Sequence, residues 1–196
     1  MGNSVKHTDT ELIIEGCINN NSAMQTKLYY VYYSAIYNTI SRYIADDADR
    51  KDVLQETFIK VFNNIKKLKD TNVLVPWINR IAINLCMDKL RSEKKVTLSF
   101  DLYFTNKSLK NENENDDPDD YYADGISIDD VHEVLDQLPN GFKTVFMLYA
   151  VENYSHKEIA QLIGTSESNS KTQYMRAKIA IKNLVKQKIE CKGMKS

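Results

Sequence analysis

The chain has few of the features that mark membrane-spanning proteins. No apolar run approaches the roughly 20 residues that a membrane-spanning helix needs. Acidic side chains at Asp9, Glu11 and Glu15 interrupt the N-terminal stretch, so no secretory signal is expected. With only 6 Gly and 3 Pro in 196 residues, the chain also lacks the turn residues of an all-β protein.

Cysteine is scarce as well, and its pattern excludes two kinds of site. Cys17, Cys86 and Cys191 are odd in number and widely spaced, which favours a reducing, cytoplasmic location over a disulfide framework. No C-x-x-C spacing occurs and the three histidines stand apart, so neither a metal site nor a cofactor is expected. No nucleophile–base pair or phosphate loop is visible either, so an enzyme is the least favoured class.

The net charge of −1 conceals a strong segregation of charge. Residues 60–95 carry nine Lys/Arg against three Asp/Glu, and residues 166–196 carry eight against two. Between them, residues 101–133 carry eleven Asp/Glu against two Lys. Two basic segments flanking an acidic one indicate contact with nucleic acid, although any single run could be a solvated helix face.

The periodicity of apolar residues predicts an all-α fold. Helices are expected over residues 9–20 and 24–44, over "DDADRKDVLQETFIKVFNNIKKL", and from Pro76 onward, because proline is tolerated in a first helical turn. The acidic, Asn-rich stretch 96–125 predicts a flexible linker. Helical patterning resumes in "SIDDVHEVLDQL". A turn is expected at "PNG", followed by a helix over "FKTVFMLYAVEN". Two small helical domains, 1–95 and 126–196, are therefore expected.

The C-terminal domain ends in a helix-turn-helix pattern. Ala160 suits a helix crossing, Gly164 suits a turn with a left-handed residue, and Ser166 suits the N-cap of the second helix. On a helical wheel one face of that second helix is apolar and faces the core: Ser170, Tyr174, Ala177, Ile181 and Leu184. The opposite face is suited to phosphates and base edges in a DNA major groove: Ser168, Lys171, Thr172, Met175 and Arg176. Two ordinary packed helices remain the alternative.

Two further sets of side chains lie in the N-terminal domain. The fourth helix places Trp77, Arg80, Asn84 and Arg91 on one face, after a loop with Lys66, Lys67 and Lys69. An aromatic ring among cations and an amide suits unstacked bases and their phosphates, whereas a core tryptophan is the plainer interpretation. The third helix places Asp49, Asp52, Gln55 and Glu56 in its first turns, which suits a protein partner or a solvated acidic face.

The order of these motifs resembles the sigma factors of bacterial RNA polymerase. The segments "DRKDVLQETFIKVF", "WINRIAINLCMDKLR" and "LDQLPNGFKTVFMLYAVENYSHKEIAQLIGTSESNSKTQYMRAKIAIKNL" are similar to the compact extracytoplasmic-function (ECF) group, which keeps only regions two and four. The resemblance covers nearly the whole chain except the linker.

The resemblance implies partners and roles. Asp49, Asp52, Gln55 and Glu56 would dock on the clamp helices of the largest core polymerase subunit, and region four would bind the flap of the second. The loop with Lys66, Lys67 and Lys69, together with Trp77, Arg80, Asn84 and Arg91, would capture a flipped minus-ten base and the melted non-template strand. Ser168, Lys171, Thr172, Met175 and Arg176 would read the duplex minus-thirty-five element. The resemblance also implies an anti-sigma protein as a binding partner. It does not imply binding to a membrane.

The sequence departs from the family pattern at two positions. Pro76 stands before Trp77, where a helix-compatible residue is more usual. Ser168-Asn169-Ser170 replaces a small-Thr-Val run, and Ser170 falls on the core face. A buried hydroxyl needs a hydrogen-bond partner, and the expected one is the backbone carbonyl one turn earlier.

Three functions follow from these observations. The leading one is an initiation subunit without catalytic chemistry that directs core polymerase to promoters. The main alternative is an autonomous helix-turn-helix repressor, which would form a stable dimer on a palindromic operator. The third is a helical adaptor that binds only protein.

Overall fold

The computed structural model describes residues 3–93 and 127–193, and every regular element in these ranges is a helix. The all-α prediction is confirmed. The chain divides into two compact units, Met1–Leu90 and Arg91–Ser196. The predicted linker, 96–125, lies outside the described residues, so its boundaries stay a prediction.

Unit 1 contains α1 (Asn3–Ile18), α2 (Ser22–Ser41), α3 (Asp47–Asn64) and all but the last two residues of α4 (Leu74–Ser92). Side chains cap two of them, since Asn21 accepts from two N–H groups at the start of α2 and Asp46 accepts from Asp49 N at 3.0 Å. The first helix starts six residues earlier than predicted. Pro76 lies in the first turn of α4, as predicted.

The core of unit 1 forms where α1 and α3 pack against α2, and α4 supplies much of its apolar surface. The helical period predicts an apolar stripe of α4 at Ile78, Ile81, Ala82 and Leu85, and the structure buries these residues except Ile81, which is half-buried. Gly16 allows a close crossing, because a Cβ at this position would lie 2.3 Å from Met24 Cγ. Both Cys17 and Cys86 are buried thiols, and burial raises the pKa of Cys86 to about 12.

Unit 2 contains α5 (Ile128–Asp136), α6 (Asn140–Phe146), α7 (His156–Ile163) and the 27-residue α8 (Glu167–Gly193), against which the other three pack. The prediction of a turn at "PNG" is wrong beyond Pro139: that residue occupies the N-cap position of α6, and Gly141 is buried inside the helix. The helix predicted after it is confirmed as far as Val151, although its second half, Met147–Val151, is π-helical.

Both α5 and α7 begin with a reciprocal capping box, Ser127 with Asp130 and Ser155 with Glu158. Asp130 is 7% exposed and has a second role, since its Oδ1 lies 3.2 Å from Lys188 Nζ on α8. Glu133 also pairs with Lys188. The start of α5 is thereby tied to the C-terminal half of α8.

Candidate nucleic-acid and polymerase interfaces

The four polar side chains predicted to dock on polymerase differ in their exposure. Asp52, Gln55 and Glu56 are exposed. Asp49 is half-buried, and its Oδ1 lies 2.6 Å from Lys89 Nζ on α4, so this carboxylate joins two helices. The predicted docking residues thus lie at the surface of unit 1, and two of them have partners inside the unit: Asp49 pairs with Lys89, and Glu56 Oε1 lies 3.2 Å from Lys60 Nζ.

An apolar side chain that the sequence pattern did not single out lies on the same surface. Ile59 is 52% exposed and follows Asp52, Gln55 and Glu56 at the helical spacing i, i+3, i+4 and i+7. Its position on the wheel was the available signal, but an apolar residue in an amphipathic helix is normally assigned to the core. The exposed face therefore combines acids, an amide and one apolar contact.

The start of α3 is held by a small charged network. Tyr37 of α2 donates a hydrogen bond to Asp47, and Lys51 lies 2.7 Å from the same carboxylate. The hydrogen bond from Lys51, followed by that from Tyr37, lowers the pKa of Asp47. Asp47 therefore stays ionised near the positive end of the α3 dipole, where a negative charge is stabilised.

The predicted minus-ten face of α4 is present on the protein surface. Arg80, Asn84 and Arg91 are exposed, and Trp77 is half-buried, which places the indole between the core and solvent. Asp88 is also exposed at the same helical spacing, and the sequence-based prediction had omitted it. The face is therefore mixed in charge along its length, with the aromatic ring and Arg80 nearest the preceding loop.

That loop is rigidly anchored although its lysines are exposed. Two 3-10 turns, Ile65–Lys67 and Thr71–Val73, form it, and Asp70 Oδ1 accepts from both Asn72 N and Asn72 Nδ2 at 2.9 Å. The buried side chains of Ile65 and Leu74 hold its ends. The loop exposes Lys66, Lys67, Lys69 and the apolar Val73, and Val75 is exposed in the first turn of α4.

The helix-turn-helix has the geometry that the sequence predicts. Gly164 ends α7 in the left-handed region at φ 74° and ψ 42°. Ser166 Oγ then accepts from Asn169 N at 3.0 Å, which caps α8. The crossing is apolar at Ile159 and Ile163, which are buried. Together these features fix the angle between α7 and α8.

The predicted reading face of α8 is largely exposed. Ser168, Lys171 and Thr172 are exposed, Met175 is 49% exposed, and Arg176 is half-buried. Lys171 also lies 2.7 Å from Glu167, an exposed pair between successive helical turns. Such a pair is weak, so it leaves the ammonium able to exchange its partner for a phosphate.

The buried face of α8 differs from the wheel in a way that explains the Ser-Asn-Ser sequence. Ser170 is fully buried, but its partner is His156 Nδ1 at 3.0 Å, so the expected carbonyl partner is wrong. Asn169 Nδ2 donates to Thr165 Oγ1 at 2.7 Å and Asn169 Oδ1 accepts from Gln173 Nε2 at 3.3 Å. Gln173, 2% exposed, was absent from the predicted core face, whereas Tyr174 is only half-buried.

The described part of the chain contains neither a candidate membrane-spanning helix nor a candidate metal site. In residues 3–93 and 127–193 no helix has the length and hydropathy to cross a membrane. The same ranges contain no group of three His, Cys, Asp or Glu side chains arranged to hold a metal ion.

Comparison with known proteins assigns both units to one family. The Sigma-70 region 2 profile matches residues 28–96 and the Sigma-70 region 4 profile matches residues 128–181, together more than half of the chain. The sigma factor SigV of Bacillus subtilis is 27% identical over 143 residues, covering 72% of this chain and 78% of SigV. The ECF sigma factor SigM of the same organism is 29% identical over 160 residues, covering 81% of this chain and 93% of SigM.

A solved structure of the sigma factor RpoE in complex with the anti-sigma factor NepR, from Bartonella quintana, covers 82% of this chain and 96% of its own, with 16% identity and a TM-score of 0.47. The family assignment rests on the two profiles and the sequence relatives instead. This chain therefore belongs to the Sigma-70 family, as an ECF sigma factor that binds core RNA polymerase and directs promoter-specific transcription initiation.

Proposed function

We propose that the two units divide promoter recognition between them and that α8 reads the minus-thirty-five element. The observation that carries this proposal is the exposed side of α8, where Ser168, Lys171 and Thr172 follow directly after a left-handed Gly164 turn. A helix presented in this way can enter a major groove with its N-terminal half. Lys171 and Arg176 would bind phosphates or guanine edges, and Met175 would contact a thymine methyl group.

Unit 1 would bind the melted minus-ten element through the loop before α4. Its exposed lysines, Lys66, Lys67 and Lys69, would attract the strand backbone. Trp77 would stack on a base, and Arg80, Asn84 and Arg91 would bind the adjacent phosphates. The exposed Val73 and Val75 extend this surface with apolar contacts suited to a base that has left the stack.

Core polymerase would dock on the exposed face of α3. Ile59 provides an apolar contact at one end of this face, and Asp52, Gln55 and Glu56 provide polar groups over the two preceding turns of α3. Asp49 would act at the edge of this face while paired with Lys89. An anti-sigma protein that covers the same face would block docking, and we include it as a proposed partner. No catalytic step is part of this function, and its place is the cytoplasm, with the polymerase.

The proposal is tested by run-off transcription with core polymerase on a promoter library, with and without the chain. The wild-type chain should select minus-ten and minus-thirty-five elements at a fixed spacing. The double variant Lys171→Ala, Arg176→Ala should lose initiation at minus-thirty-five-dependent promoters by roughly 10-fold or more. Trp77→Ala should instead reduce the opening of all selected promoters.

Two controls make the result specific. Lys27→Ala removes an exposed lysine of α2, outside the three surfaces, and should leave selection unchanged. Asp52→Ala with Glu56→Ala should weaken the pull-down of core polymerase without changing which sequences are selected. If the α8 double variant selects the same minus-thirty-five sequences as wild type, α8 is not the reader.

A further inference from the structure

The crossing of α7 and α8 is closed by one buried polar contact. Ser170 Oγ, on a side chain with no exposed surface, lies 3.0 Å from His156 Nδ1. His156 is the first residue of α7 and lies inside its capping box, between Ser155 and Glu158. The backbone that carries the imidazole is therefore fixed at a helix start, and the hydroxyl is fixed one turn into α8.

The imidazole ring is held in place by aromatic neighbours. The ring of Tyr149, in the π-helical segment, stacks on it with centroids 4.2 Å apart and planes 12° apart. Tyr174 of α8 lies 5.8 Å from the imidazole and 4.5 Å from Tyr149, so each ring touches the other two. These contacts fix the plane of the ring, and the 3.0 Å contact between Nδ1 and Ser170 Oγ sets which edge of the ring faces α8.

The contact lies directly behind the proposed reading face. Lys171 follows Ser170 in sequence, and Thr172 and Met175 lie within about 7.5 Å of it along the axis, at 1.5 Å per residue. Besides Ser170, the buried side of α8 contains one large side chain, Gln173, and two small ones, Ala177 and Ala180. The alanines interlock little with their neighbours, so they oppose a rotation of the helix less than large core side chains would. A directional bond at Ser170 is thus placed where a small rotation would move every reading side chain.

We propose that His156 and Ser170 are positioning residues that set the rotation of α8 and thereby the register in which α8 meets the minus-thirty-five element. This inference rests on the proposed role of α8. The pair touches no base itself. An apolar core residue at position 170 would make a contact without a preferred direction. The contact between Ser170 and His156 has a defined length and direction instead.

The sharpest test compares Ser170→Thr with Ser170→Val. Both variants add a branch of similar size, but only threonine keeps the hydroxyl that can bond His156. Each protein is assayed with core polymerase on promoters with a randomised minus-thirty-five element. Ser170→Thr should keep the wild-type preference, whereas Ser170→Val should flatten the ratio of selected to average sequences by roughly 10-fold, the value of one good base contact.

Val134→Ala is the matched control for lost stability. It shortens a buried side chain of α5 and leaves the α7–α8 crossing intact. It should lower the melting temperature of unit 2 while selecting the wild-type sequences. Equal preferences in the threonine and valine variants, or a flattened preference in Val134→Ala, would overturn the positioning role.

A measurement without DNA separates this inference from the function on which it rests. Spin labels at Lys157→Cys and Ile179→Cys, in a Cys191→Ser background, report the distance between two exposed sites on α7 and α8. Ser170→Val should shift or broaden that distance and Ser170→Thr should not. If the distance shifts in Ser170→Val but the wild-type protein shows no minus-thirty-five preference, only the reading role of α8 is rejected. If the distance is unchanged in Ser170→Val, the positioning role is rejected.

Discussion

Lys89 of α4 places its Nζ 2.6 Å from Asp49 Oδ1 of α3, with 25% and 28% of the two side chains exposed. This ion pair joins two helices through residues that are 40 positions apart in sequence. Because about three-quarters of each side chain is covered, solvent screens the pair less than it screens a surface pair. Asp49 therefore contributes to the fold of unit 1 as well as to the docking face proposed for α3.

Replacing Asp49 with Asn should lower the stability of unit 1 by about 1 kcal/mol, at the upper end for partly exposed pairs. The reason is that Lys89 loses its carboxylate while it remains largely covered. Urea denaturation of Asp49→Asn, Lys89→Met and the double variant gives the coupling energy directly. Additive effects would show that the pair contributes nothing. Polymerase binding in the Lys89→Met background then isolates the docking contribution of Asp49.

Replacing Gly16 with Ala should destabilise unit 1 by about 2 kcal/mol. The added Cβ would lie 2.3 Å from Met24 Cγ and 2.6 Å from Met24 Cβ, so α1 and α2 must move apart. Alanine at an unobstructed helical position would otherwise be stabilising by about 0.5–1 kcal/mol. Thermal unfolding measures the difference.

The variant Met24→Ala tests which atom causes this clash. It removes Met24 Cγ but keeps Cβ, so Gly16→Ala should cost less in that background than in wild type. An equal cost in both backgrounds would show that the contact with Met24 Cγ is not the cause.

Replacing Gly164 with Ala should cost about 1–2 kcal/mol, because this residue has φ 74° and a Cβ is disfavoured there. Asparagine tolerates the left-handed region better, so Gly164→Asn should lie between wild type and Gly164→Ala. The unfolding transition of unit 2 checks the order of the three proteins. A fully stable alanine variant would show that the turn between α7 and α8 does not need a left-handed residue.

Lowering the pH should destabilise unit 2 through His156. Burial, followed by the charge of Lys171, lowers the pKa of this imidazole below its usual value, against an opposing effect of Glu167. Between the folded and the unfolded pKa the unfolded chain binds more protons, so stability is complete above about pH 6.5 and falls as the pH drops through that window. Urea midpoints at about pH 7.5 and about pH 5.5 measure the loss. His156→Phe should show a smaller one; an identical loss would assign the dependence to other groups.

The sequence predicts most of the helices because their signals are local. Asp46 and Ser166 are capping residues, Gly164 has no Cβ, and the apolar stripe of α4 repeats at helical spacing, so each can be recognised within a few residues. The π-helical segment Met147–Val151 could not be recognised in this way, because one wider turn leaves no distinct composition.

The proposed site shows the same division between local and distant signals. The exposure of Lys171 and Thr172 follows from the helical period alone. The partner of Ser170 could not be predicted, since His156 lies 14 residues away and reaches it only across the turn. Likewise Asp49 looks like a surface acid in sequence, and its pairing with Lys89 depends on how α3 and α4 pack.

Asp130 is bonded in two directions, to Ser127 at the start of α5 and to Lys188 on α8. A pulling force applied to the chain at Ser127 would therefore pass through Asp130 into α8 while it strained the first turn of α5. The helix cannot be peeled from its N-terminal end without breaking the ion pair to Lys188. Tension that enters unit 2 at Ser127 is consequently carried in part by the long helix that also bears the proposed reading face.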